Sequence, residues 1–141
     1  MWRRAPGFFD VVTYEGKGGV LEVPHNLAAV PEMVWVKCRN VTKTWAVYHH
    51  ESDADPRANY LTLQENWSAA PDDTYRHWAD DFTEESFYLG PDGDVNDKNT
   101  TYTAYLFASA PGLCDIGTYT GDGQDAQFID TSFGTSGCGF V

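Results

Sequence analysis

An acidic loop before the last predicted strand carries the residues best suited to binding a metal ion. Asp92, Asp94 and Asn96 place oxygen-bearing side chains at alternate positions, as calcium loops do. An EF-hand loop would also have Gly at its sixth position and Glu at its twelfth, where this chain has Asp97 and Thr103. Two interpretations therefore stay open, a calcium site and a solvated turn rich in acids.

Four carboxylates close together in the chain could supply the acid pair of a glycosidase: Asp80, Asp81, Glu84 and Glu85. Such enzymes hold two carboxylates about 5–9.5 Å apart across a sugar-sized cleft. No spacing singles out one pair, and most acids of so acidic a chain belong on the surface. We therefore expect no catalytic residues and no organic cofactor, and we keep a glycan-degrading enzyme as an alternative.

Aromatic side chains in the long segment 64–85 are candidates for contact with a ligand or partner: Trp67, Tyr75, Trp78 and Phe82. Exposed aromatic rings suit stacking on sugars or burial in a protein interface, and capping of the core is the alternative. A second aromatic set alternates within predicted strands and is assigned to the core: Trp35, Tyr48, Phe87, Tyr102 and Phe107.

The histidines and cysteines follow no metal-binding pattern. His49 and His50 are adjacent, so on a strand they face opposite sides of the sheet. The three cysteines are Cys38, Cys114 and Cys138, without a C-x-x-C pair or paired histidines, and we expect free thiols.

Composition excludes two classes of partner. The formal net charge is -12, which would repel the phosphates of nucleic acids, so we expect no DNA or RNA ligand. No apolar run approaches the ~18 residues of a membrane span, and Met1-Trp-Arg-Arg is not followed by the apolar region of a signal peptide. We therefore expect synthesis in a cytoplasm and no membrane partner.

Short alternating or apolar runs separated by turn residues predict an all-β chain. The strongest is Met33–Cys38, apolar almost throughout and therefore expected near the middle of a sheet. A short helical turn is expected only around Asp72–Trp78. About eight short strands with long loops predict a single antiparallel β-sandwich domain over residues 1–141, of jelly-roll or lectin-like type.

The chain also contains one segment twice. Residues 1–18 (copy 1) and 106–123 (copy 2) align at an offset of 105, with eight of eighteen positions identical. The identities are Ala5/Ala110, Pro6/Pro111, Gly7/Gly112, Asp10/Asp115, Thr13/Thr118, Tyr14/Tyr119, Gly16/Gly121 and Gly18/Gly123. A domain-sized period predicts a tandem array, or exchange of one copy with an adjacent subunit by strand addition. If both copies instead pack side by side within one sheet, the chain is a self-contained monomer.

Several phrases of the sequence resemble a repeat domain of tailed-bacteriophage virion proteins, especially those of cyanophages. These phrases are Val23-Pro-His-Asn-Leu27, Val30-Pro-Glu-Met-Val-Trp-Val-Lys37, Trp45-Ala-Val-Tyr-His49 and Tyr102-Thr-Ala-Tyr-Leu-Phe-Ala108, together with the opening of the chain. The resemblance implies a structural, tail-fibre-like protein located in the virion, and it brings no catalytic residues with it.

From the residues and the resemblance together we expect a non-enzymatic virion module. Its favoured role is that of a tail-fibre or receptor-binding module that contacts a cell-surface glycan or neighbouring virion proteins. Because such assemblies are symmetric, a homo-oligomer is expected, with a trimer favoured. A capsid decoration protein is the second expectation.

Overall fold

A computed structural model describes residues 3–66, 68–72, 74–123, 127, 129 and 131 of the chain. Most regular structure in these ranges is extended. The strands are β1 Phe9–Glu15, β2 Leu21–Pro24, β3 Met33–Cys38, β4 Trp45–His49, β5 Asn59–Thr62, β6 Ala70–Pro71, β7 Ser86–Leu89 and β8 Thr101–Phe107.

These strands form two antiparallel sheets. The larger has six strands in the order β1-β8-β3-β4-β5-β6, and the smaller pairs β2 with β7. Strand β8 lies between β1 and β3, so that Phe107 faces both Phe9 and Met33 in the register. The predicted all-β, sandwich-like fold is confirmed, and neither sheet closes into a barrel.

The hydrophobic core lies between the two sheets. Alternate residues of β3 and β8 point inward, so Val34, Val36 and Leu106 are fully buried. Phe87 and Leu89 cover them from the smaller sheet. The burial pattern of β3 alternates strictly, as expected for a strand with one face on the core.

Helical structure is short and lies elsewhere than predicted. The α-helix α1 spans Gly93–Asn96, and a 3-10 turn spans Pro56–Ala58. Among the described residues of 72–78 there is no helix. Asp92 explains the location, because its side chain accepts a hydrogen bond from the Asp94 N–H as an N-cap. No helix in the described part of the chain has the length and apolar character needed to cross a membrane.

The amide of Asn96 ties α1 to two loops. Asn96 is fully buried. Its Nδ2 donates to the carbonyls of Gly90, at 2.9 Å, and Gly19, and its Oδ1 accepts from the Lys17 N–H at 2.7 Å. In these contacts the amide nitrogen and the amide oxygen of Asn96 both bind backbone groups, which fixes the β1–β2 loop against α1.

Beyond β8, which ends at Phe107, copy 2 repeats the first turn of copy 1 but not its strand. An antiparallel bridge joins Ala5 to Phe9, and the equivalent bridge joins Ala110 to Cys114. Beyond that turn, residues 115–120 have no strand pairing, although the matching residues of copy 1 lie in β1.

Loss of the Asn96 amide should destabilise the whole fold. In Asn96→Ala, the Gly90 carbonyl loses its partner in a buried place, at a cost of about 1–3 kcal/mol, and the Gly19 carbonyl and the Lys17 N–H lose theirs at part-buried contacts. We expect the free energy of unfolding, measured by denaturant titration, to fall by about 2 kcal/mol or more.

Asn26→Ala is the matched control for this substitution. Asn26 is exposed, and only its backbone N–H is used, in a hydrogen bond to Asp10. Its loss should change the free energy of unfolding by less than about 0.5 kcal/mol. Equal effects of the two substitutions would contradict the role assigned to Asn96.

Candidate functional site

Three potential metal ligands meet where the loop before β7 approaches α1. They are His77, Asp92 and Asp94, the His77 cluster, and their ligand atoms all lie within 4.8 Å of one another. His77 Nε2 is 3.5 Å from Asp92 Oδ1. His77 is buried, whereas the two aspartates are partly exposed, so the cluster has one closed side and one side open to solvent.

The imidazole of His77 is oriented by its neighbours. Asp72 is itself buried. Its Oδ2 accepts a hydrogen bond from the backbone N–H of His77 at 2.7 Å and lies 3.1 Å from the ring nitrogen Nδ1 of His77. Tyr60 stacks on the ring at 3.9 Å between centroids. With its proton on Nδ1 and donated to Asp72, the imidazole presents the lone pair of Nε2. That nitrogen is buried and has no hydrogen-bond partner among the described residues.

The two aspartates of the cluster are held by different contacts. Asp92 caps α1 through Oδ1, and its Oδ2 forms an ion pair with Arg76 at 3.4 Å. Asp94 accepts a hydrogen bond from the Thr44 hydroxyl. Both carboxylates are therefore fixed at the N-terminal end of α1, close to His77.

The predicted oxygen set is thus only partly brought together. Asp92 and Asp94 lie in one cluster, but Asn96 lies at the other end of the short helix and uses its amide to bind the loops. The structure adds His77, which lies fifteen residues before Asp92 in the sequence. No local spacing connects the two, since their proximity depends on the antiparallel bridge between Trp78 and Leu89 and on the hydrogen bond from the Gly90 N–H to the His77 carbonyl.

Burial removes two aromatic contact candidates from the surface. Trp78 is fully buried and Phe82 is 8% exposed. Both pack on Tyr48, with ring centroids 5.6 and 4.3 Å away. The expectation that these two rings face a ligand is corrected: they fill the core below β4. Trp67 lies outside the described residues.

Tyr75 remains available at the surface. It is 38% exposed, and its hydroxyl donates to Asp55 at 3.0 Å. Arg57 lies over the ring at 5.1 Å and also forms ion pairs with Asp80, at 3.8 Å, and Asp81, at 3.3 Å. These exposed carboxylates surround a cation, which is the arrangement of a solvated ionic network.

The five predicted core aromatics differ in burial. Three are buried and lie between the sheets: Tyr48, Phe87 and Tyr102. Trp35 and Phe107 are only partly buried and contact each other at 4.8 Å between ring centroids. Phe107 also contacts Phe9 at 5.2 Å. The outer face of β3 and β8 therefore carries an aromatic row.

A second site of functional interest is the β1 position, the groove along β8 that β1 occupies. The contacts that β1 makes in this groove need particular side chains. Asp10 is buried and accepts from the Asn26 N–H at 2.8 Å. The Tyr14 hydroxyl donates to the Val95 carbonyl at 2.7 Å. Burial, and then the proximity of Tyr102 and Cys38, raise the pKa of Tyr14 well above its usual value, which keeps that hydroxyl a donor.

Glycine is required at three points of copy 1. A Cβ on Gly16 would lie 2.2 Å from the Asp97 carbonyl oxygen, closer than any side chain can approach. Gly7 and Gly18 have φ of 90° and 73°, which only glycine adopts without strain.

Copy 2 has the same residue type as copy 1 at all five of these positions. Asp115, Tyr119, Gly121, Gly112 and Gly123 stand where copy 1 has Asp10, Tyr14, Gly16, Gly7 and Gly18. Gly112 and Gly123 also have positive φ, of 76° and 73°. Yet Tyr119 is 67% exposed, and a Cβ on Gly121 would have nothing within 4 Å. Copy 2 carries the residues of a β1 strand without occupying a β1 position.

The two copies meet across one cavity. Phe8 and Phe9 of copy 1 and Leu113 and Cys114 of copy 2 occupy equivalent repeat positions, and together with Phe107 they line a cavity of about 310 Å³. Residues after Cys114 then turn toward β4, where the Thr118 hydroxyl donates to Glu51 at 2.9 Å. These contacts are polar and solvent-exposed, unlike those of β1.

Comparison with known proteins identifies a family without a described activity. No curated protein and no solved structure matches the chain significantly. Residues 4–136 match the domain of unknown function DUF7483, so the match covers both sheets and the whole of copy 2. The chain therefore belongs to the DUF7483 family.

Proposed function

We propose that this protein is a non-enzymatic structural module of a tailed-phage virion, most specifically of a tail fibre or receptor-binding assembly. In this assembly, copy 2 supplies the β1 strand of a neighbouring unit. The assignment to a phage depends on the sequence resemblance alone. The assembly role depends on one observation, which is that copy 2 carries the residues that the β1 position requires and is not seated in one.

The groove along β8 needs a buried carboxylate, a tyrosine hydroxyl and a glycine without room for a Cβ. A segment that acts only as a solvated tail has none of these needs. Copy 2 nevertheless has Asp115, Tyr119 and Gly121 at the matching places. Strand addition to a neighbour accounts for all three, because the neighbour's β8 has the same groove.

The same exchange is possible within one chain. Cys114 would lie opposite Phe107, as Phe9 does, and six residues, 108–113, would connect them. Loops of this length commonly join neighbouring strands. The covalent path therefore permits copy 2 to reach the β1 position of its own chain, and in the proposed assembly copy 2 takes the same position in a neighbour.

Two other functions remain as alternatives. A capsid decoration protein would use the same strand exchange to clamp neighbouring copies, so the fold does not distinguish it from a fibre. A glycan-degrading enzyme is favoured less, because Asp80 and Asp81 are exposed and paired with Arg57, whereas the general acid of a glycosidase lies in an apolar pocket. Tyr75 is the described aromatic candidate still available for contact with a glycan.

A pair of glycine substitutions in the full chain tests strand replacement. Gly16→Val blocks β1, and copy 2 should then take its place, so the free energy of unfolding should fall by only about 2 kcal/mol. Gly121→Val alone should change stability by less than about 0.5 kcal/mol, because its surroundings are open. The double variant should lose about 4 kcal/mol or more, beyond the sum of the single effects.

Denaturant titration measures these three values, and the coupling between the two sites is the decisive quantity. A Gly16→Val variant as unstable as the double variant would mean that copy 2 cannot replace β1. Gly117→Val is the matched control in copy 2. It is an exposed glycine at the place of Val12, and its substitution should leave the Gly16→Val chain no less stable.

The location and ligand of the module need separate experiments. Antibody labelling of the phage particle in electron microscopy should mark the tail, and labelling of the capsid face would support the decoration protein. A glycan array should detect binding that Tyr75→Ala weakens about tenfold, since a stacked aromatic contact contributes about 0.5–1.5 kcal/mol beyond the area that it buries. Release of reducing sugar would instead support the enzyme.

A further inference from the structure

We propose that the His77 cluster binds one divalent transition-metal ion of the zinc class. Its ligands are His77 Nε2 and the carboxylates of Asp92 and Asp94, and one or more coordination positions remain for water on the solvent side. This site is independent of the assembly role proposed above.

The donor atoms select the class of metal. Calcium and magnesium favour oxygen ligands alone, whereas an imidazole nitrogen with two carboxylates suits zinc and its neighbours in the first transition row. Ligand atoms about 2.1 Å from a tetrahedral zinc ion lie roughly 3.4 Å apart. His77 Nε2 and Asp92 Oδ1 are 3.5 Å apart, so this pair already has the spacing of two zinc ligands.

The surroundings of His77 are those of a metal-ligating histidine. Asp72 binds the opposite ring nitrogen, and such a carboxylate partner fixes the ring and increases its basicity toward the metal. His77 is 5% exposed, and its Nε2 points toward the two aspartates without a hydrogen-bond partner among the described residues. A buried ring nitrogen without a partner costs free energy unless something binds it. A metal ion would satisfy it.

A structural alternative uses the same residues without a metal. A protonated His77 could bridge Asp72 and Asp92 as a buried cation. The distance of 3.5 Å from Nε2 to Asp92 Oδ1 exceeds that of an ordinary N–H···O hydrogen bond, which is about 2.7–3.2 Å. Arg76 already provides a positive charge to the other oxygen of Asp92, at 3.4 Å. The geometry therefore favours an ion between the ligands over a direct contact.

Zinc and cobalt are the probes for this site in the full-length chain. Zn²⁺ at a hundredfold excess over its dissociation constant should raise Tm by about 5–10 °C relative to chain treated with a chelator. Co²⁺ should give the visible absorption bands of a low-coordinate imidazole–carboxylate site, without the charge-transfer band of thiolate ligands. That absence separates the site from the cysteines. Calcium at the same concentration should shift Tm much less.

Three variants locate the ion. His77→Asn keeps a donor toward Asp72 but removes Nε2, and Asp94→Asn removes one carboxylate at a partly exposed position; each should weaken Zn²⁺ binding at least a hundredfold. Asp72→Asn should weaken binding by about 10–100-fold. Asp97→Asn is the matched control, because it removes one negative charge near α1 from a residue outside the cluster. It should leave the affinity within about threefold.

Each outcome decides the proposal. Asp94→Asn changes a partly exposed side chain and should stay folded, which circular dichroism of the metal-free variants checks. Its loss of affinity then reports the site and not the fold. No Tm shift and no cobalt spectrum in the unaltered chain would overturn the proposal. It would equally be overturned by thiolate bands, by a larger response to calcium, or by equal affinities of the Asp94→Asn and Asp97→Asn variants.

Discussion

The buried amide of Asn96 is the interaction on which the rest of the structure depends. It holds the loop after β1 and the turn at Gly90 to one four-residue helix. Tyr102 of β8 fixes the same helix from below, donating to the Gly93 carbonyl at 2.7 Å and accepting from the Asp97 N–H at 2.8 Å. An isolated helix of one turn is not stable in water, so these tertiary contacts must supply its stability. Because α1 is fixed, Asp92 and Asp94 can face His77, and the Asp97 carbonyl can form the wall against which Gly16 fits.

Sequence pattern predicted the strands well and the helix poorly, for one physical reason. Strand β3 has the predicted bounds, because the run from Met33 to Cys38 is apolar except for Lys37 and contains no turn residue. A short helical turn is predicted for 72–78, but Trp78 fills the core, Tyr75 lies at the surface, and Asp72 is used to orient His77. By contrast, α1 has little helical propensity of its own and depends on Asn96. A local signal cannot report a helix that is stabilised by distant loops.

The same limit applies to the candidate sites. Asp92 and Asp94, two of the alternating oxygen ligands, lie close together, since an N-cap and its following turn are local. Asn96 was a natural third member by spacing, yet a one-turn helix directs it to the opposite end. His77 could not be added from sequence, because its position relative to Asp92 is set by sheet pairing. The aromatic residues Trp78 and Phe82 lie in an acidic segment whose composition indicates a surface location, although both rings point into the core.

The preference of the β1 position for copy 1 in its own chain follows from the residues that differ between the copies. Copy 1 has Val12 packed against the core, where copy 2 has Gly117. Val12 is only partly buried, so the loss of its contacts would cost about 1 kcal/mol, and a glycine inside a strand adds roughly 0.5–1 kcal/mol.

Arg4 forms an ion pair with buried Asp10 at 2.9 Å and donates to the Val11 carbonyl on the outer edge of β1, whereas copy 2 has Ser109 at the place of Arg4. Covering an edge in this way discourages unwanted pairing. Both differences favour copy 1, and so does buried Phe9, for which copy 2 has Cys114. In the strand exchange proposed above, copy 2 therefore stays outside the groove of its own chain while β1 is seated and enters a groove that a neighbour leaves unoccupied.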